Sequence, residues 1–391
     1  MAARRGDWPA ARGQAERALA QGGDEPAARL ALIKAELEEG QAATAERDLE
    51  ALIAENRLGP HELSIALSLR GDVLDGLDRT AEAFEAYRGA NKVIGDFYAS
   101  RQTVGGAGTA LALVDRMGAY FSNAEPEDWR RRDAAAAQGG GQGFIVGFPR
   151  SGTTLLGQVL AAHPKVITLD EHELLADPGR AFLEQPGGLD RLAALDQDEL
   201  DRLRRTYRAR AEAQTGPLDG RMMVDKLPMN SLALPLICRM FPDARIIFVQ
   251  RDPRDVVLSC FRQQFTPNRT NLEFLTLEGA ARFYDSMMRL VVQFEAKLDM
   301  DLRWQRHEDL VQDFEGETRA ICGFLGLEWT ADLGQFAQQA STRDIATPSA
   351  GQVARGLYSE GMGQWRRYRS SLAPVLDLLR PWVDRFGYAV D

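Results

Sequence analysis

Cysteine is scarce in this chain, with three thiols, Cys238, Cys260 and Cys322, among 391 residues. They share no C-x-x-C spacing and sit among apolar neighbours, which predicts buried structural thiols and argues against a disulfide framework or a thiolate metal site. So low a count fits a reducing compartment. Long apolar runs are missing too. Nothing approaches the roughly 18 residues of a membrane span, and the opening Met1-Ala-Ala-Arg-Arg-Gly-Asp-Trp-Pro9 has no apolar leader core. The expectation is a cytoplasmic protein without a membrane span. Positive charge is in deficit, with 47 Lys and Arg against 57 Asp and Glu and a net charge of −10. That excludes a global nucleic-acid footprint but leaves room for a local anion site. No His, Cys and Asp cluster has metal-ligand spacing, so no metal is expected.

What is present is ordinary for a globular protein, 45% hydrophobic and 27% charged. The length favours two domains. Residues 1–95 are rich in Ala, Leu and Glu with helical periodicity. The segment Leu67–Ala90 resembles a tetratricopeptide unit, with small Gly71, a break at Gly76-Leu-Asp, then Ala81, Ala83 and Phe84 on a second helix. Ala28–Ile53 reads as a more degenerate copy, broken at Gly40. Such repeats offer concave surfaces to partners; the alternative is a plain helical cap. Residues 96–142 read as a helical connector ending in the Gly-rich link Ala134–Gly143. From 143 to 391, short buried-strand patterns at Gly143–Phe148 and Ile246–Gln250, with weaker ones at Val166–Leu169 and Met222–Val224, alternate with helices. That predicts an α/β domain with a parallel sheet and ligands at the strands' carboxyl ends.

The most telling stretch is Gly143-Phe-Ile-Val-Gly-Phe-Pro-Arg-Ser-Gly-Thr-Thr-Leu-Leu156. A buried strand, a tight turn and a helix opened by hydroxyl residues make a phosphate cradle from free backbone N–H groups. Gly147 and Gly152 have the G-x-x-x-x-G spacing, yet Thr153 stands where a nucleotide-binding P-loop has Lys. Arg150 adds a permanent charge able to fork onto oxygens, and Ser151, Thr153 and Thr154 add hydroxyls. A second segment, Ile246-Ile-Phe-Val-Gln-Arg251-Asp-Pro-Arg-Asp-Val-Val-Leu-Ser259, ends a strand at Arg251 and starts a helix at Pro253. Arg251 and Ser259 suit one anion; Arg254 and Asp255 read equally as a capping ion pair or as ligands.

The two segments together, about 100 residues apart, resemble the donor site of sulfotransferases, enzymes that use 3′-phosphoadenosine 5′-phosphosulfate (PAPS). The resemblance covers roughly residues 143–368 and is strongest to tyrosylprotein sulfotransferases and bacterial tetratricopeptide-repeat sulfotransferases. The Ala- and Arg-heavy composition also suits a GC-rich bacterial genome. The resemblance implies that Arg150–Thr154 hold the 5′-phosphosulfate, and that Arg251 and Ser259 hold the 3′-phosphate. It implies that Glu171 in Leu169-Asp-Glu-His172 is the catalytic base, with Asp170, Glu173 and His172 as alternatives. Lys226 in Asp225-Lys226-Leu-Pro228-Met-Asn230 would stabilise the leaving charge, with Asn230 positioning it. His307 in His307-Glu-Asp-Leu-Val311 stands where an aromatic residue contacts adenine. Ser349, in the stretch Thr347–Tyr368, matches a further 3′-phosphate contact. Gln263 and Gln364 occupy positions where basic residues are usual, leaving Arg355, Arg366 or Arg367 to supply charge. The implied reaction passes a sulfuryl group to a hydroxyl acceptor: a protein tyrosine, a carbohydrate or a small molecule. The competing readings are a P-loop nucleotide kinase or NTPase, which Thr153 argues against, and an inactive repeat scaffold.

Overall fold

A computed structural model of the chain describes residues 7–21, 25–99, 108–129, 141–338, 357 and 361–390. The described residues fall into two compact units. One comprises Met1–Ala110, Pro253–Phe283 and Gly363–Asp391; the other comprises Leu111–Asp252 and Tyr284–Met362.

The first unit opens with five helices: α1 (Trp8–Ala20), α2 (Pro26–Glu38), α3 (Ala42–Ala54), α4 (Pro60–Gly76) and α5 (Thr80–Ala99). Pro stands in the first turn of α1, α2 and α4, where its missing N–H costs nothing and its fixed φ suits a helix start. Leu30, Ile33, Leu49, Leu52, Leu69 and Val73 recur at helical spacing and bury a common seam between α2, α3 and α4. The helices break around Gly40 and at Leu77–Arg79. At Gly71 a Cβ would lie 2.4 Å from the Tyr87 ring, so α4 and α5 pack closely because that position carries no side chain. Helices Pro253–Arg262 and Arg369–Arg385 complete this unit. Asn91 of α5 donates to the Phe261 carbonyl at 2.8 Å, and Phe84 stacks on Phe261.

The second unit is built on one five-stranded sheet: β1 (Gln142–Gly147), β2 (Val166–Asp170), β3 (Met222–Lys226), β4 (Arg245–Gln250) and β5 (Asp301–Arg306). The order is β2-β3-β1-β4-β5, and every pairing is parallel. This is the α/β architecture that alternating strand and helix patterns imply. The four strands marked in the sequence all form. β5 was not anticipated; its sequence Asp-Leu-Arg-Trp-Gln-Arg is only partly buried and pairs with β4 alone, so it lacks the apolar run of a central strand. Ile145, Val249, Leu155, Val159, Ile321 and Leu325 form the core on one face. Cys238, Cys260 and Cys322 are buried and free, as read from their surroundings. Among the described residues no helix is long and apolar enough to cross a membrane.

Candidate active site

All five strands of the sheet deliver a marked residue at or next to their carboxyl ends. β1 runs into Phe148–Gly152, Glu171 follows β2, Lys226 closes β3, Arg251 follows β4 and His307 follows β5. A parallel sheet places such ends on one rim, where α/β folds bind ligands.

The loop after β1 is shaped by its two glycines. A Cβ on Gly147 would meet the Val249 carbonyl at 2.6 Å and Ser151 Oγ at 2.8 Å, so only glycine lets the turn fold back against β4. Gly152 has φ of 102° and lies against His307, whose Nδ1 would be 2.3 Å from an added Cβ. As the N-cap of helix Thr153–Ala161, Gly152 has no side chain to offer the first-turn N–H groups. These donors and the positive end of the helix dipole therefore face the loop. Thr153, Thr154 and Ser151 are buried. Among the described residues, Ser151 Oγ is buried with no hydrogen-bond partner, as are Arg251 Nε and His307 Nδ1. Polar atoms orphaned beside an uncapped helix start fit an anionic ligand that would satisfy them.

Arg150 and Glu171 share a backbone peculiarity. Among the described residues, five non-glycine residues have positive φ, and three are Asn or Asp, which tolerate that region. The other two are Arg150, at 68°, and Glu171, at 57°. Left-handed Arg and Glu cost about 1–3 kcal/mol each and cluster at functional sites.

Lys226 is fully buried at the end of β3. Its stem packs beside Gly157 of the helix Thr153–Ala161, with Lys226 Cγ 3.4 Å from where a Cβ would stand. Its Nζ pairs with Glu171 Oε1 at 2.9 Å and, closer still, with Asp170 Oδ1. The Glu171 N–H donates to the Lys226 carbonyl at 2.8 Å, fixing the turn after β2. Of the four polar residues Asp170–Glu173, it is Asp170 and Glu171 that pair with Lys226. Gln158 donates to Asp170 Oδ2 at 3.3 Å and thereby links the helix Thr153–Ala161 to the pair. Gly157, Gln158 and the part played by Asp170 carried no sequence signal.

Asn230 donates its amide to Asp225 Oδ1 at 3.4 Å, next to Lys226 in the sequence. Asp225 also accepts from the Tyr207 hydroxyl at 2.8 Å. Burial pushes the Asp225 carboxyl up to about 7, against the lowering effect of Tyr207 and Lys226. Tyr207 sits in helix Gln197–Thr215, far from any motif, and its role is visible only in the fold.

Arg251 braces the loop after β1 by donating to the Arg150 carbonyl at 3.2 Å, and it also donates to the Gly361 carbonyl. Glu308, one residue after His307, accepts from the Asp252 N–H at 3.0 Å and ties the ends of β4 and β5 together. Burial, helped by the Arg251 charge, pushes the His307 imidazole down to about 3. It is neutral at ordinary pH and suited to lie against an uncharged base ring.

Ser259 lies half-buried in helix Pro253–Arg262, in the first unit. Arg254 and Asp255 take structural partners in that unit. Arg254 stacks 3.7 Å over Trp365 and donates to the Ala389 and Val390 carbonyls. Asp255 accepts from the Gly363 and Trp365 N–H groups at 2.6 and 2.8 Å. Arg367 is held by Asp75 and Asp78, and Arg366 lies over the Trp365 ring. Ser349 and Arg355 lie outside the described residues. Among the described residues no group of His, Cys, Asp or Glu is placed to hold a metal ion.

Residues 144–331 match the model of the sulfotransferase family. A protein of Aquifex aeolicus, itself uncharacterized, is 27% identical over 252 residues, covering 61% of this chain and 32% of that protein. A putative protein-tyrosine sulfotransferase of Caenorhabditis briggsae is 25% identical over 256 residues, covering 63% of this chain and 88% of its own. Among solved structures, a sulfotransferase domain from the curacin biosynthetic pathway covers 64% of this chain and 99% of its own, at 19% identity and a TM-score of 0.45.

Proposed function

We infer that this chain, whose residues 144–331 form a sulfotransferase-family domain, transfers a sulfuryl group from PAPS to a hydroxyl acceptor. The observation that carries the reading is the meeting of the uncapped helix Thr153–Ala161 with the buried ion pair of Lys226 and Glu171. The donor supplies an activated sulfuryl group on a phosphate leaving group. Around it the chain's own residues have separable tasks. Backbone N–H groups of Ser151–Thr154 and the Arg150 guanidinium receive the 5′-phosphosulfate oxygens. Lys226 Nζ neutralises charge developing on the bridging oxygen as the S–O bond breaks. Glu171, paired with Lys226, takes the acceptor's hydroxyl proton as the new O–S bond forms. Neutral His307 lies along the adenine, while Arg251, Ser259 and Ser349 serve the 3′-phosphate.

The fixed charges of Arg150 and Lys226 supply the compensation, and the proposed reaction calls for no metal. The acceptor is a hydroxyl, and the tyrosine phenol of a peptide is the form that the relatives' names favour. In this reading residues 143–391 carry the chemistry, 96–142 connect, and the tetratricopeptide-like helices of 1–95 support it. Three buried free thiols suit a cytoplasmic protein.

Calorimetry with the desulfonated nucleotide, 3′-phosphoadenosine 5′-phosphate (PAP), tests the donor assignment. Wild type is expected to bind PAP, and Arg251→Ala to weaken it at least tenfold, about 1.4 kcal/mol. Tight binding of Mg-ATP with no affinity for PAP overturns the reading in favour of a P-loop kinase or NTPase.

A further inference from the structure

β2 closes on two adjacent carboxylates, and the fold holds them in different ways. Asp170 is the last residue of β2 and stands beside Lys226 in the β2–β3 ladder, so both side chains leave the same face of the sheet. Its Oδ1 contacts Lys226 Nζ, and its Oδ2 accepts from Gln158 Nε2 at 3.3 Å. Gln158 is buried in the helix Thr153–Ala161, directly after the Gly157 that the Lys226 stem packs against. Both oxygens of Asp170 are engaged, one by its strand neighbour and one by the helix. Glu171 lies one residue past the strand, in a left-handed conformation. Among the described residues its carboxylate has one side-chain hydrogen-bond partner, Lys226 Nζ at 2.9 Å. All of these residues belong to the unit that carries the sheet.

The proposed reaction asks Lys226 and Glu171 to turn toward different atoms, the ammonium toward the donor's bridging oxygen and the carboxylate toward the acceptor's hydroxyl. A simple pair would resist this, because the departing carboxylate leaves a buried cation without a counter-charge. Asp170 removes the conflict. An ammonium has three N–H donors; Asp170 and Glu171 take two, and one remains for the bridging oxygen. When Glu171 exchanges Lys226 for the acceptor, Asp170 stays, anchored by the ladder and by Gln158.

We propose that Asp170 is a positioning residue for sulfuryl transfer: it holds the Lys226 ammonium at the rim of the sheet while Glu171 releases it to receive the acceptor's proton. This rests on the reading of Lys226 and Glu171 given above. In the step itself the new O–S bond forms and the S–O bond to the leaving phosphate breaks. The hydroxyl proton passes to Glu171, and no proton moves to or from Asp170 or Lys226.

The test is a double-mutant cycle on kcat. It is read with PAPS carrying labelled sulfate and with a tyrosine-containing peptide, a carbohydrate or a phenol as acceptor, whichever wild type labels fastest. Asp170→Asn, isosteric but uncharged, should lower kcat about tenfold, with the KM for PAPS within about twofold of wild type. PAP binding by calorimetry should be equal or tighter, since one negative charge near the donor is lost. In the Lys226→Ala background the same change should alter kcat by less than about twofold, because Asp170 acts through Lys226. Gln158→Met, which frees Asp170 Oδ2, should give a smaller fall of the same kind, and it carries the test if Asp170→Asn does not fold. A full loss on top of Lys226→Ala means that Asp170 acts on its own, as a base or a structural residue, and overturns the proposal. An unchanged kcat in folded Asp170→Asn, or a tenfold weaker PAP affinity, overturns it as well. Each of these leaves transfer by Lys226 and Glu171 intact. A wild type that labels none of the acceptors removes the transfer reading, and the proposal with it.

Discussion

Lys226 holds two carboxylates at once, and each of the three side chains has a distinct consequence when changed. Removing Lys226 leaves Asp170 and Glu171 without their shared cation, so Lys226→Ala should lower kcat by roughly 10²–10³. Glu171→Gln keeps a hydrogen-bonding group beside Lys226 but loses the base. It should lower kcat by about 10² or more, with PAP affinity within about twofold of wild type. A parallel loss of PAP binding would mean that Glu171 holds the donor. His307 offers a test by pH. Its folded pKa of about 3 lies below the unfolded value of 6.5, so the neutral ring contributes stability above about pH 6.5 that is lost as pH falls toward 3. By linkage the loss is roughly 3 kcal/mol at about pH 4. Asp225, raised from 3.8 to about 7, has the opposite slope, its contribution disappearing as pH rises through about 7. Comparing urea midpoints of wild type and His307→Asn isolates the histidine. Identical acid slopes in the two proteins would contradict its burial as a neutral ring.

Arg150 and Arg251 could be read from their neighbours in short contiguous motifs, and Glu171, Lys226 and His307 from the family resemblance those motifs carry. Asp225 with Tyr207 and Asp75 with Arg262 and Arg367 could not. Their partners lie 18, 187 and 292 positions apart, and no local pattern announces a pairing at such distances.

At the scale of elements, two glycines set how closely pieces approach. Gly71 lets α4 lie against Tyr87, so Gly71→Ala should destabilise that unit by about 1–3 kcal/mol, seen as a lower Tm with PAP affinity per folded molecule little changed. Gly152 combines a positive φ with contact against His307, and Gly152→Ala should abolish PAP binding before it abolishes folding. Retention of PAP binding in that variant would argue against the loop as the 5′-phosphosulfate cradle. The central strands were readable from apolar runs, and β5 escaped notice because an edge strand such as Asp-Leu-Arg-Trp-Gln-Arg needs no such run. Helices α2–α5 followed from periodicity and their Gly breaks.

At the scale of the whole molecule, a net charge of −10 is compatible with the proposed anion site, because Arg150, Arg251 and a helix start concentrate positive potential locally against the overall charge. The marked residues at the strand ends belong to one compact unit, and Ser259 belongs to the other. The central claim is sulfuryl transfer by Glu171 and Lys226. The most direct test is incubation with PAPS carrying a radiolabelled sulfate, supplied with tyrosine-containing peptides and, separately, with carbohydrate and phenolic acceptors. The account predicts label on a hydroxyl acceptor with wild type and a fall of about 10² or more with Glu171→Gln. Equal transfer by the two proteins, or no transfer to any hydroxyl by a wild type that binds PAP, would contradict it.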